Sequence, residues 1–245
     1  MDNAGYVSLS RQSGLLKELS IIANNMANSD TTGFKREGAV FSEYITAAQT
    51  DPKASNLRES LSMGQLAGHA SNFSAGGLRE TGGSLDVALQ GDGFFLVNVN
   101  GQTALTRAGH FMTDQTGRLI TPDGNAVLDV AEGEIQIPAE ASLLQISKDG
   151  VLSADGVEFS RLGVVSATET DLTRLGGNNW LSEQGFEPVE FPDVLQGFLE
   201  DSNVQPLTEI TRMIEVQRLY EAGQKLLEME DDRIKQTITT IRQIS

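Results

Sequence analysis

Cysteine is absent from the chain, and with it every disulfide, thiolate metal site, iron–sulfur ligand and cysteine nucleophile. Histidine is nearly absent: His69 and His110 are the only two and lie far apart, which argues against an imidazole metal cluster. Basic residues are scarce as well, 18 Lys and Arg against 34 Asp and Glu, for a formal net charge of −16. That charge repels phosphate backbones and anionic lipid surfaces, and no local basic patch offsets it, so neither nucleic-acid binding nor membrane insertion is expected. No stretch approaches the roughly 18 apolar residues needed to span a bilayer. The densest apolar run is Phe94-Phe95-Leu96-Val97. The first twenty residues are polar and amphipathic and lack the basic start, apolar run and small-residue cleavage site of a secretory signal. The expectation is a soluble chain that, if it leaves the cytoplasm, does so without a cleaved signal.

What is present is unevenly placed. Residues 1–40 carry four basic and four acidic side chains, and residues 201–245 carry six and eight, so the middle holds nearly all of the negative excess. Glycine follows the same division, with 20 of its 25 copies between Gly64 and Gly197. Proline is missing from residues 1–51 and 207–245. Two near-neutral, glycine-poor ends able to form helices therefore flank an acidic, glycine-rich middle that cannot be mostly helix.

From about Ala4 to Ala27, Leu9, Leu16 and Ala23 recur at seven-residue spacing, as do Leu19 and Met26, with Leu15 and Ile22 broadening the stripe. The run ends in Asn24, Asn25 and Asn28 and the Ser29-Asp30-Thr31-Thr32-Gly33 turn signal. At the other end Met213, Tyr220, Leu227, Ile234 and Ile241 lie seven apart, flanked by Ile210, Val216, Ile238 and Ile244. Pro206 suits a first helical turn, and Ser202 or Asn203 could cap it. A helix over residues 206–243 would be roughly 57 Å long at 1.5 Å per residue, too long to bury its stripe alone. Between the ends, short runs such as Leu85–Leu89, Phe94–Val99, Arg118–Ile120, Glu134–Ile137 and Gly163–Val165 alternate with turn signals, among them Asn100-Gly101, Asp123-Gly124 and Asp155-Gly156. That density predicts an antiparallel β domain of many short strands. Residues 43–75 read as an extended or poorly packed connector. The fold class is α+β: long terminal helices packed as a coiled-coil-like inner domain (1–35 and 203–245), a connector (36–78) and a β-rich domain (79–202).

Little here points to a chemical step. Gly91-Asp92-Gly93 superficially resembles a phosphate loop, but Phe94-Phe95 continues as strand instead of opening a helix. His110 lacks a Ser or Cys motif that would make it a base, so it reads as a structural or surface histidine. The acidic residues show no metal-loop spacing. Catalytic, cofactor and metal sites are accordingly expected to be absent. The asparagines admit two readings: a helix-terminating cluster, or amides that bond across a subunit contact as polar residues in helix seams do.

Three blocks carry a resemblance. Ala23-Asn24-Asn25-Met26-Ala27-Asn28 through Thr31-Thr32-Gly33-Phe34-Lys35 resembles the signature of bacterial flagellar rod and hook proteins. Leu85–Phe95 and Thr106–Phe111 resemble that family's central blocks, and Ser202-Asn203-Val204, Met213-Ile214 and Gln217-Arg218-Leu219-Tyr220-Glu221 its C-terminal helix. Gly83-Ser84 and Leu105 depart from the usual pattern at a turn and a surface contact. The length and both ends of the chain are most similar to proximal-rod members, with distal-rod members next. The resemblance implies a structural, non-enzymatic subunit of the basal-body rod, exported by the flagellar type III apparatus, crossing the periplasm beside other proximal and distal rod subunits. It also implies that the terminal helices form an inner tube and the β domain an outer layer. A trimeric secreted β domain that binds or hydrolyses glycans is the alternative from another class.

Overall fold

The computed structural model describes the backbone of residues 2–47, 60–141 and 143–244, and the side chains of residues 8–40, 70–141, 143–240 and 242. The chain divides into two compact units. Residues 1–27, 37–72 and 205–245 form a helical unit, and residues 28–36 and 73–204 form a β unit. The α+β class follows directly. Among the described residues no helix is long and apolar enough to cross a membrane.

In the helical unit, α1 (Asp2–Ala27) and α2 (Pro206–Ile244) contain 26 and 39 residues. Pro206 occupies the first turn of α2, where its missing N–H would have no intrahelical partner in any case. Ser202 and Asn203 do not cap this helix. The Ser202 hydroxyl accepts from the Val204 amide (3.2 Å), and the residue directly before the helix is Gln205, whose carbonyl takes the amides of Thr208 and Glu209 (3.0 and 3.1 Å). The segment read as a connector contains two long strands, β1 (Glu37–Ala47) and β2 (Ser60–Ser71). They pair antiparallel from Glu37 opposite Ser71 to Ala47 opposite Ser60, with an irregularity between Val40 and Phe41. The part of that expectation falling on residues 48–59 lies outside the described residues.

The β unit is built from short strands, and every strand pair in it is antiparallel among the described residues. Its first four strands are β3 (Leu78–Glu80), β4 (Val87–Leu89), β5 (Phe94–Val99) and β6 (Gln102–Thr106). The β5–β6 hairpin turns on Asn100 and Gly101, both at positive φ (54° and 85°), the backbone that a two-residue hairpin of matching twist requires. β5 and β6 lie within a nine-stranded sheet that also takes in Leu172–Gly176 and Asn179–Ser182. Expected strands at residues 118–120 and 163–165 are present as Leu119–Ile120 and Val164–Ser166. Residues 134–137 contribute only isolated bridges, Leu128 with Glu134 and Arg118 with Gln136.

Two apolar clusters hold this unit. Val87, Phe95, Val97, Phe111, Leu119, Val127, Leu152 and Leu162 belong to one. Phe73, Phe94, Leu96, Leu105 and Trp180 belong to the other, where Phe73 meets Trp180 edge-on at 4.9 Å. A three-stranded sheet of Leu144–Ile146, Val151–Ala154 and Val157–Arg161 lends Ile146 and Leu152 to the first cluster. The strand Phe198–Glu200 pairs with β3 over three residues, Phe198 opposite Glu80 and Glu200 opposite Leu78.

Candidate assembly surface and motif site

α1 and α2 run antiparallel, as their paired residues show: Asn25 meets Glu209, Glu18 meets Arg212, and Gln12 lies against Gly223. Leu15, Ile22 and Val216 are buried between them, with Leu19, Met213 and Tyr220 packed around. On α2 the more covered positions are Glu209, Met213, Val216, Tyr220, Gly223, Leu227 and Glu230. On α1 they include Ser8, Gln12, Leu15, Leu19, Ile22 and Met26. The α2 series alternates steps of four and three residues, while α1 is covered more broadly, at Gly14, Glu18, Ile21 and Asn25 as well. Arg212 donates to Glu18 from two nitrogens (2.7 and 2.8 Å) and to Glu215 (3.2 Å). The hydrogen bond to Glu18 raises the Arg212 pKa above its ordinary value. Near the start of α1 the seam opens into a cleft of about 240 Å³, lined by Gln12, Leu15, Leu219, Gly223 and Leu226.

The remaining expected assembly positions are exposed: Leu9, Leu16 and Ala23 on α1, and Ile210, Ile214, Gln217, Arg218 and Ile234 on α2. The Ile241 side chain lies outside the described residues. Leu226, Met229 (69% exposed) and Ile238 (61%) extend the uncovered apolar surface. The polar seam partners Gln12, Glu18 and Glu209 were not singled out from the sequence; a charged or amide side chain on a helix reads there as solvent-facing.

The asparagine cluster divides by role. Asn25 is fully buried, and its amide donates to the Glu37 carbonyl (2.8 Å) and to Glu209 Oε2 (3.4 Å) while its oxygen accepts from the Glu37 amide (2.9 Å). One side chain thereby satisfies both backbone groups of a β1 residue, which needs a donor and an acceptor on the same planar group. The idea that these amides bond across a subunit contact fails for Asn25, because both of its N–H groups and its oxygen are engaged within the chain. Asn28 shapes the turn, its carbonyl accepting from the Thr31 amide and its side-chain oxygen from the Thr31 hydroxyl, both at 3.2 Å. Asn24 is exposed.

The second half of the motif belongs to the β unit. The Gly33 amide donates to the Glu200 carbonyl (2.7 Å). Gly33 has φ 67°, and a Cβ there would stand 2.4 Å from the Arg107 carbonyl carbon, so only glycine fits. Phe34 is buried with the Arg174 guanidinium 4.7 Å over its ring; the same guanidinium sits 4.6 Å over Trp180 and donates to the Lys35 carbonyl (3.1 Å). The Asn178 amide donates to the Thr32 carbonyl (2.7 Å).

Lys35 and Glu200 are each 1% exposed. Lys35 Nζ donates to Glu200 Oε1 (2.7 Å) and to the Ser74 carbonyl (2.8 Å). Glu200 also accepts from the Gly76 amide (2.9 Å) and, more distantly, from Arg107 (3.5 Å). Burial pulls the Lys35 and Arg107 pKa values down, and the Glu200 carboxylate opposes that in both. Asn203 completes the cluster. Its side chain accepts from the Arg36 amide (2.7 Å) and donates to the Ser74 carbonyl (2.9 Å), while its backbone amide donates to the Phe34 carbonyl (3.3 Å).

The features weighed for chemistry have structural employment. Gly91 presents its carbonyl to Arg107 Nη2 (2.7 Å), the opposite polarity to a phosphate cradle. His110 Nδ1 lies 2.5 Å from Asp86 Oδ1, and Asp86 Oδ2 accepts from the Thr81 hydroxyl (2.5 Å). Among the described residues no three His, Asp or Glu side chains converge as metal ligands.

Comparison with known proteins identifies the family. Residues 6–35 match the family model of the flagella basal body rod protein, residues 88–154 that of the flagellar hook protein FlgE/F/G D1 domain, and residues 195–240 that of the flagellar basal body rod FlgEFG protein C-terminal region. The flagellar basal-body rod protein FlgF of Caulobacter vibrioides is 39% identical over 232 residues, covering 93% of each chain. FlgF of Rhizobium meliloti is 32% identical over 246 residues, covering 98% of each, and the rod protein FlgG of Bacillus subtilis is 29% identical over 260 residues, covering 97% of this chain and 98% of its own. With relatives this similar along nearly their whole length, the chain belongs to the family of flagellar basal-body rod proteins.

Proposed function

We propose that this chain is a structural subunit of the flagellar basal-body rod, of the proximal kind that the FlgF relatives exemplify, and that it assembles with other rod subunits through α1 and α2 to carry motor torque. The distal-rod assignment is the weaker of the two, since the FlgG relatives stand at 29–34% identity against 39% for FlgF of Caulobacter vibrioides. Export through the flagellar type III apparatus without a cleaved signal, and a place in the periplasm, belong to the same proposal. No chemical step is involved.

The carrying observation is the apolar surface left open on α2. An α1 of 26 residues cannot cover an α2 of 39, and Ile210, Ile214, Leu226, Met229, Ile234 and Ile238 stand exposed. At about 25 cal/mol per Å² of apolar area, covering the open half of such side chains is worth on the order of 1 kcal/mol each, enough collectively to drive helix association. The four–three alternation of covered positions on α2 supports knobs-into-holes packing of the coiled-coil type.

Ile214→Asp and Ile234→Asp test this reading. Each puts a charge where a neighbour's helix would bury it, so incorporation into basal bodies and swimming should be lost while the purified monomer unfolds as before. Normal motility in both variants would overturn the assignment of α2 as the assembly surface.

A further inference from the structure

The chain enters or leaves the β unit at four places, next to Asn28, Arg36, Phe73 and Val204. The Glu200–Asn203 cluster ties three of these ends, those at Arg36, Phe73 and Val204. Glu200 takes Lys35, one residue from the second end, and Gly76, close to the third. Asn203, beside the fourth end, bonds to Arg36 and Ser74. The Gly33 amide, on the segment that begins at the first end, reaches the Glu200 carbonyl.

We propose that this cluster is a mechanical clamp, which spreads a pull on any one of these three ends over the other two. The need for one is visible in the neighbouring strand. Phe198–Glu200 is held to β3 only by a three-residue pairing in a two-stranded sheet, so few backbone bonds resist a pull at its C-terminal end, which leads into α2. The side-chain bonds of Glu200 and Asn203 add to them.

Stability alone does not account for this choice of residues. A lysine, an arginine and a glutamate taken out of water contribute little net stability, and apolar residues of similar volume commonly do as well or better. Apolar contacts, however, can slide, whereas short charge-assisted bonds of fixed geometry fail within a fraction of an ångström. A clamp needs the second property.

The inference rests on the reading of the chain as a torque-carrying subunit, and it can be tested apart from assembly. Because the chain has no cysteine, two introduced cysteines can anchor the purified full-length monomer in an optical trap. Handles at Gln205→Cys and Glu183→Cys load the root of α2; handles at Asp155→Cys and Glu183→Cys load the β unit without involving it. Glu200→Gln should lower the rupture force of the first pair by about a third or more and barely change the second, since it removes the charge from several bonds at once. Asn203→Ala should lower the first selectively too, and serves if Glu200→Gln fails to fold. An equal loss in both directions, or no loss in either, overturns the clamp. A normal rod built from Glu200→Gln chains of unchanged rupture force would sink the clamp and leave the rod assignment standing, while exclusion of the unmodified chain from rods would do the reverse.

Discussion

In the β unit, Phe95, Val97, Leu119, Val127 and Leu152 are wholly covered by their own chain, whereas the helix pair rests on Leu15, Ile22 and Val216 and leaves a row of Leu, Ile and Met on α2 in solvent. The apolar fraction of the sequence is thus used in two ways. One region closes its core and, Glu200 and Asp86 apart, keeps most of its acidic side chains outside. The other keeps its polar contacts, Asn25, Glu18 and Glu209, inside the seam and its apolar ones partly outside. The difference is that the β unit closes two apolar clusters within one chain, whereas the helical unit buries a small one and leaves a row of apolar side chains on α2 open, which is what the proposed assembly would cover.

The sharpest way to break that contrast is to damage the closed core. Phe95→Ala removes a fully buried ring that packs edge-on against Phe111 at 5.3 Å, and should cost about 3–5 kcal/mol. The single tryptophan, Trp180, is buried in the same unit, so its fluorescence during urea unfolding reads the loss directly. A cost below 1 kcal/mol would mean that this core is not closed.

Next in size is the polar seam. Asn25→Ala removes the amide's bonds to both backbone groups of Glu37 and to Glu209, and should cost about 1–3 kcal/mol in the helical unit, read by far-ultraviolet circular dichroism. An unchanged Trp180 transition in that variant would show that the two units answer separately.

Asp86→Asn probes the polar rim of the β unit. Burial opposes ionisation of Asp86, but the hydrogen bonds from Thr81 and His110 outweigh it and hold the carboxyl below its usual range. A depressed folded pKa means stability that is present above the unfolded value and lost as the pH falls through the folded one. The variant should therefore be about 1–2 kcal/mol less stable at neutral pH. That gap should narrow once the pH drops below about 4, where the unfolded carboxyl takes up its proton. A gap constant down to acid pH would assign the effect to packing instead.

The smallest monomer effect belongs to the open stripe. Ile238→Ser should change stability by no more than about 0.5 kcal/mol, because the side chain already faces solvent, and yet should weaken incorporation into basal bodies. A larger loss in the isolated chain would show that the stripe is covered in the monomer after all.

How much of this was legible in the sequence depended on how local the signal was. A seven-residue repeat needs no partner to be seen, so both helices could be drawn almost to their ends. Asn100-Gly101 marks its hairpin for a similar reason, since few residue pairs accept positive φ twice. The β1–β2 pair is hard to read because its few apolar positions, such as Leu61 and Met63, are diluted by serine, glycine and alanine. The Lys35–Glu200 pair was out of reach for a stronger reason. The two lie 165 residues apart, and a charged side chain read alone signals surface. Gly33 and Phe34 were noticed as part of a helix-ending motif, yet what fixes them is the Arg107 backbone and the Arg174 guanidinium. Ser202 and Asn203 read as helix caps because such residues usually are, but Ser202 closes a local turn with the Val204 amide and Asn203 is engaged by the distant Arg36 amide.

The unequal lengths of α1 and α2 carry one more consequence. An antiparallel pair with 26 residues on one side and 39 on the other has two unlike tips, and the surplus on α2 amounts to about 20 Å at 1.5 Å per residue. A file of such pairs, each tip meeting the next, cannot be read the same way in both directions. In such a file the two ends would present different tips, so the proposed assembly would be polar by helix length alone.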